Sequence, residues 1–160
     1  MSAALHFEDW YALTQLYADY ASVVDAGHWE QWPEFFTEDC VYRVQPRENH
    51  ERGFPLATLS FESKGTLKDR AYGLRETLFH DPYYQRHVVG LPRLLRVDDG
   101  RFEVEANYAV FRTKLSQLTS VYNVGRSLDV VVRTPEGLKF ARREFIYDSE
   151  MIPNSMIYPL

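Results

Sequence analysis

Tyr17 or Tyr20, Asp39 or Tyr42, His87 and Asn107 have the side-chain types that proton-transfer chemistry uses. Such chemistry needs a carboxylate base and one or two donors facing a polarised oxygen. Here phenols and a carboxamide would donate, and a carboxylate or imidazole would accept. No two of these residues form a compact motif, so only a fold that draws distant segments together can assemble them. Each also has an ordinary reading: a buried Tyr or His with one hydrogen bond, or an Asp in a turn.

The stretch richest in reactive types is GHWEQWPEFFTEDCVYRV, residues 27–44. It holds the chain's only cysteine, Cys40, directly after Glu38 and Asp39. A reactive thiolate needs a nearby cation or a helix N-terminus. Acidic and apolar neighbours raise a thiol pKa instead, so Cys40 reads as a small buried hydrophobe. Trp29, Trp32, Phe35 and Phe36 read as core wall or subunit interface. The histidines His6, His28, His50, His80 and His87 make no H-x-H or H-x-x-x-H pair, and no Cys-x-x-Cys occurs. One cysteine cannot supply the two Cys and two His of a Rieske cluster. No P-loop, dinucleotide fingerprint or G-x-S-x-G elbow is present. His80-Asp81 and Asp98-Asp99 lie in turn-like sequence. Arg133, Arg142, Arg143 and Glu144 read as solvated strand positions or interface ion pairs.

The elements that would position these groups follow from periodicity. Residues 7–26 read as an amphipathic helix, with Trp10, Leu13, Tyr17, Tyr20 and Val24 on one stripe and Gly27 at C′. A short helix or turn covers 29–36, interrupted near Pro33, and 40–45 reads as a strand. Another helix covers 67–79, with Leu67, Ala71, Leu74 and Leu78 on one face and Thr66 with Asp69 as a variant capping box. Residues 55–62 fit a strand or a loop equally well. From Gln85 the period becomes two. Phe102, Val104, Ala106, Tyr108 and Val110 alternate with polar residues; so do Tyr122, Val124, Leu128, Val130 and Val132, with Arg126 breaking that face. Asp98-Asp99-Gly100 and Pro135-Glu136-Gly137 supply hairpin turns. Pro92 predicts a bulge or bend in the strand beginning at Arg86. Helices first and a meander of strands after them predict an α+β fold, with a strongly curved antiparallel or mixed sheet wrapped around the N-terminal helix. A sheet bent in this way makes a cone, and a cone can hold a pocket.

At 160 residues the chain has the size of a single domain, spanning 1–160. Its 15% aromatic content favours a large core, a subunit interface or both. A net charge of −5 gives no reason to expect nucleic acid or an anionic membrane as partner. There is no signal-peptide pattern and no apolar run near the ~20 residues of a membrane span, so a soluble cytoplasmic protein is expected.

The strand half carries a resemblance. RHVVGLPRL (86–94), VEANYAVFRTK (104–114), VGRSLDVVVRT (124–134) and LKFARREFIYDSEMIPNSMIYPL (138–160) resemble, in order and spacing, the strands of the small, beta subunits of aromatic-ring-hydroxylating oxygenases. YADYASVVDAGHWEQWPEFFTEDCVYRV (17–44) resembles their first helix, short second helix and first strand. EQWPEFFTEDCVYRV, ENHERG and HVVGLPRL look most like the branch acting on aromatic carboxylates, which includes terephthalate dioxygenase, salicylate 5-hydroxylase and anthranilate dioxygenase. One departure is a short N-terminus, which leaves little chain for an extended arm.

The resemblance implies a cystatin-like, nuclear-transport-factor-2-like cone with no catalytic, cofactor-binding or metal residues of its own. A large alpha subunit would carry the Rieske 2Fe–2S cluster and a mononuclear Fe(II). The usual assembly is three alpha with three beta, built on beta–beta trimer contacts and fed from NAD(P)H by a reductase, often with a ferredoxin. On that reading the aromatic residues and the apolar tail IPNSMIYPL supply interface material, and the tail, including Met156, Ile157, Tyr158 and Leu160, is tied into the sheet or an interface. The alternative reading is a self-sufficient isomerase or dehydratase of the ketosteroid isomerase kind, with the Tyr/Asp/His pocket above.

Overall fold

The computed structural model describes residues 5–152 and 156–160. The first four residues, and residues 153–155 of the apolar tail, lie outside the described part.

Helix α1 (Phe7–Asp25) buries Leu13, Leu16, Tyr17, Tyr20 and Val24. Leu16 joins the expected stripe; Trp10 leaves it, lying in the first turn and pairing its ring with that of Phe7 at 6.1 Å. Gly27 has φ +71°, the left-handed conformation expected just past a helix end. A 3₁₀ turn (Trp32–Phe35) follows, with Pro33 in its first turn. Proline opens this element rather than interrupting it, because its missing N–H would be free there anyway.

Strand β1 (Phe36–Pro46) runs into the short α2 (Arg47–Glu51), which periodicity did not reveal. β2 (Leu59–Phe61) shows that the ambiguous 55–62 stretch contains a strand. Helix α3 (Lys64–Glu76) starts three residues before the expected position. Its capping box is Ser63 with Thr66, not Thr66 with Asp69: Thr66 N–H donates to Ser63 Oγ at 3.1 Å and Ser63 N–H to Thr66 Oγ1 at 3.3 Å. Leu67, Ala71 and Leu74 are buried; Leu78 lies past the helix end and is partly exposed.

The remaining strands are β3 (Tyr83–Val89), β4 (Arg93–Asp98), β5 (Arg101–Lys114), β6 (Ser120–Thr134) and β7 (Gly137–Tyr147). Sheet order is β2-β1-β7-β6-β5-β3, with β4 also pairing β5. The β1–β7 pairing is parallel and the others antiparallel, so the sheet is mixed. Residues 90–92 form the bend expected at Pro92, and β3 and β4 pair successive parts of β5 across it.

β5 buries Phe102, Val104, Ala106, Tyr108 and Val110, as the period-two pattern predicts. β6 departs from prediction. Val110 pairs with Asn123 and Phe111 with Val121, so Tyr122 is an extra residue. This bulge moves the following side chains to the other face. Asn123, Ser127, Asp129 and Val131 are buried, while Val124, Leu128, Val130 and Val132 lie on the outer face. Gly125 sits so close to β7 that a Cβ would fall 2.0 Å from the Ile146 carbonyl oxygen. The curved sheet, α1, the 3₁₀ turn and α3 enclose one core, with Trp32 fully buried against Tyr42, Phe36 and Phe61.

Candidate functional site

The concave interior holds the polar groups that α1 and the sheet bring together. Tyr17 Oη donates to Asp129 Oδ2 at 2.5 Å, and Ser127 Oγ donates to the same oxygen at 2.8 Å. Arg143 Nε lies 3.9 Å from Asp129 Oδ1, and both side chains are almost fully enclosed. The guanidinium lies over Tyr20 (4.1 Å), Phe140 (4.3 Å), Phe145 (4.7 Å) and Tyr17 (4.9 Å). Ring faces therefore replace part of its hydration shell. Burial pushes the Asp129 carboxyl up, with Arg143 pulling it the other way. Burial also raises the Tyr17 phenol, and the carboxylate beside it adds to the rise.

At the mouth of the cone, residues 156–160 fill the space. Leu160 is fully enclosed. Its carbonyl oxygen accepts from Tyr20 Oη at 2.5 Å, and its N–H donates to Tyr42 Oη at 2.8 Å. Trp32 Nε1 donates to Tyr20 Oη at 3.0 Å, linking the aromatic corner to this contact. That corner is core wall.

The candidate proton-transfer set does not assemble. Tyr17, Tyr20 and Tyr42 reach the interior, but Tyr17 is bound to Asp129 and the other two to Leu160. Asp39 is exposed on β1, and Asn107 is exposed on β5 opposite Arg126. His87 faces inward, yet its Nδ1 donates to Asp25 Oδ1 at 2.6 Å and its backbone N–H to Asp25 Oδ2 at 2.9 Å. The carboxylate is an acceptor only, so Nδ1 carries the proton. This pair ties the end of α1 to β3. Sequence reasoning missed Asp25, Asp129 and the inward role of Arg143. For Asp129, a bulge signal near Tyr122 would have been the cue.

Cys40 is buried on β1, and desolvation pushes its thiol up to about 11. Among the described residues, no group of three or more His, Cys, Asp and Glu side chains comes together to hold a metal ion. No described helix is long and apolar enough to cross a membrane.

The convex face is different. Val88 on β3 and Val121 and Val124 on β6, the two strands flanking β5, are 58%, 62% and 40% exposed, beside Tyr84, Leu115 and Leu118 at one end of the sheet. Next to them Glu105 is flanked by Arg93 at 2.8 Å and Arg126 at 2.9 Å. Exposed apolar groups beside arginines are the composition of a protein interface.

A model of the family described as "Ring hydroxylating beta subunit" matches residues 19–154. The chain belongs to this family. It is 32% identical over 151 residues to the anthranilate 1,2-dioxygenase small subunit of Burkholderia cepacia, covering 94% of each chain. It is 33% identical over 143 residues to subunit beta 1 of the terminal oxygenase component of terephthalate 1,2-dioxygenase from Comamonas sp, covering 89% of this chain and 93% of the other. A crystal structure of a beta subunit assigned to an aromatic-ring-hydroxylating dioxygenase of Novosphingobium aromaticivorans superposes with a TM-score of 0.84 at 32% identity, covering 92% and 94%. The cone is thus the cystatin-like, nuclear-transport-factor-2-like fold, used here as the beta subunit of a ring-hydroxylating oxygenase. This family supports the subunit reading over a self-sufficient isomerase.

Proposed function

We propose that this beta subunit is a structural component without catalytic, cofactor-binding or metal residues of its own, and that it stabilises a hetero-oligomer with a catalytic large subunit. Residues 1–160 act as one domain in this role. The large subunit carries the Rieske 2Fe–2S cluster and the mononuclear Fe(II), and these supply electron transfer and oxygen activation. Three alpha and three beta chains assemble in the cytoplasm through beta–beta trimer contacts. A reductase, with a ferredoxin in some systems, feeds them electrons from NAD(P)H. The substrate class is aromatic carboxylates such as salicylate or terephthalate; the two relatives named above act on anthranilate and terephthalate.

One observation carries the structural role: the cone that could have held a substrate is filled by the chain's own Leu160, which engages Tyr20 and Tyr42. The donor set agrees with metal being held elsewhere. Cys40, the chain's only cysteine, is buried, and His87 and His80 are committed to Asp25 and Tyr158.

Co-expression with a ring-hydroxylating large subunit, read by size and iron content, tests this. The expected result is a stable hetero-oligomer with all iron in the large chain, and an isolated small chain that is colourless and has no turnover. Stoichiometric iron in the isolated chain, or turnover by it alone, would overturn the proposal.

A further inference from the structure

Residues 156–160 are held unlike any strand of the sheet. They belong to none of its backbone ladders. Side chains from four elements hold their backbone instead. Tyr20 of α1 donates to the Leu160 oxygen, and Tyr42 of β1 accepts from the Leu160 N–H. Gln85 Nε2 of β3 donates to the Pro159 oxygen at 3.1 Å. Arg70 Nη2 of α3 donates to the Ile157 oxygen at 2.6 Å and the Met156 oxygen at 3.3 Å.

The side chains of the segment are seated as well: Pro159 is buried, and Ile157 is partly buried. Met156 and Leu160 are buried. Between them Tyr158 enters a cage of Tyr83 (4.5 Å), His80 (4.9 Å) and Trp29 (5.2 Å), with its hydroxyl 2.6 Å from His80 Nε2. Fixed groups that bond the backbone, plus pockets that take particular side chains, are how proteins recognise extended peptides. Residues 148–151, which follow β7, are exposed.

We propose that the mouth of the cone is a peptide-recognition site whose ligand is the sequence Met-Ile-Tyr-Pro-Leu, supplied here by the chain's own residues 156–160. The segment can detach as a unit and be replaced by a second copy of that sequence. This inference is independent of the oxygenase reading.

The test uses the full chain with a protease sequence inserted between Glu150 and Met151, cut after folding. A fluorescent Met-Ile-Tyr-Pro-Leu peptide should enter the cut protein saturably, at least about tenfold more tightly than the uncut one. In the uncut chain the tethered segment competes at millimolar effective concentration. Alanine in place of the peptide's leucine should weaken entry at least about tenfold. A cut protein that stays folded and takes up no peptide at millimolar concentration overturns the proposal.

Hydrogen exchange on the uncut chain provides a second measurement that does not depend on the cut form staying folded. The Leu160 amide should exchange by local opening, at least about tenfold faster than the β6–β7 ladder amides. Exchange at the ladder rate, through global unfolding alone, would equally overturn it.

Discussion

The concave and convex faces of this sheet treat polar and apolar groups in opposite ways. Inside, the fold draws polar groups onto one another: Tyr17 and Ser127 to Asp129, Tyr20 and Tyr42 to Leu160. Outside, Val88, Val121 and Val124 face solvent beside the Arg93–Glu105–Arg126 group. The mouth on the inner side is already occupied by residues 156–160. A face with unmatched apolar surface gains free energy only by docking, since burying apolar area is worth roughly 25 cal/mol per Å². The contrast agrees with docking through the outer face, part of the role proposed above.

The sharpest way to break that contrast is to remove a charge from the inside. Arg143→Ala leaves Asp129 buried without its cation, at an expected cost of about 3–5 kcal/mol, read from the urea midpoint. Stability within about 1 kcal/mol of the parent would show that water solvates the pair. Leu160→Ala empties an enclosed site and should cost about 2–5 kcal/mol, visible as a lower melting temperature. A small loss would mean that the mouth of the cone does not need its plug.

Alkaline pH probes the same interior more gently. Burial pushes the Tyr20 phenol up to about 12, while a phenol in the unfolded chain titrates near ~10. Between those values the folded chain holds the extra proton. Its stabilisation is therefore complete below pH ~10 and lost as pH rises towards ~12, up to about 2–3 kcal/mol. Denaturation against pH should show that decline, and Tyr20→Phe should make it shallower. An unchanged slope would place Tyr20 in a wetter site.

The smallest stability effect belongs to the outside. Val121→Asp with Val124→Asp should change the isolated chain by less than about 0.5 kcal/mol, yet remove co-elution with its partners. Partner binding that survives both carboxylates would show that this face docks nothing.

Much of the architecture was legible from residues alone. Period-two alternation in 102–110 named every buried side chain of β5, and the stripe on α1 erred only at Trp10 and Leu16. Alternation in 122–132 pointed to the wrong face after Tyr122, because one extra residue reverses every side chain beyond it and leaves the hydropathy pattern intact. The α3 cap was misplaced for a related reason. Thr66 can serve as N-cap or as N3, and only the backbone shows which.

The amino-acid order alone determined the strand and helix periods, the lack of thiols for an iron–sulfur cluster, and the segments that resemble ring-hydroxylating beta subunits. Each of these is a local or compositional property. Tertiary structure alone decided which polar groups meet. Tyr17 finds Asp129 112 positions away, and Tyr20 finds Leu160 140 positions away. Periodicity reports which way a side chain points within its own element. Only the curvature of the sheet and the docking of residues 156–160 fix what lies opposite it.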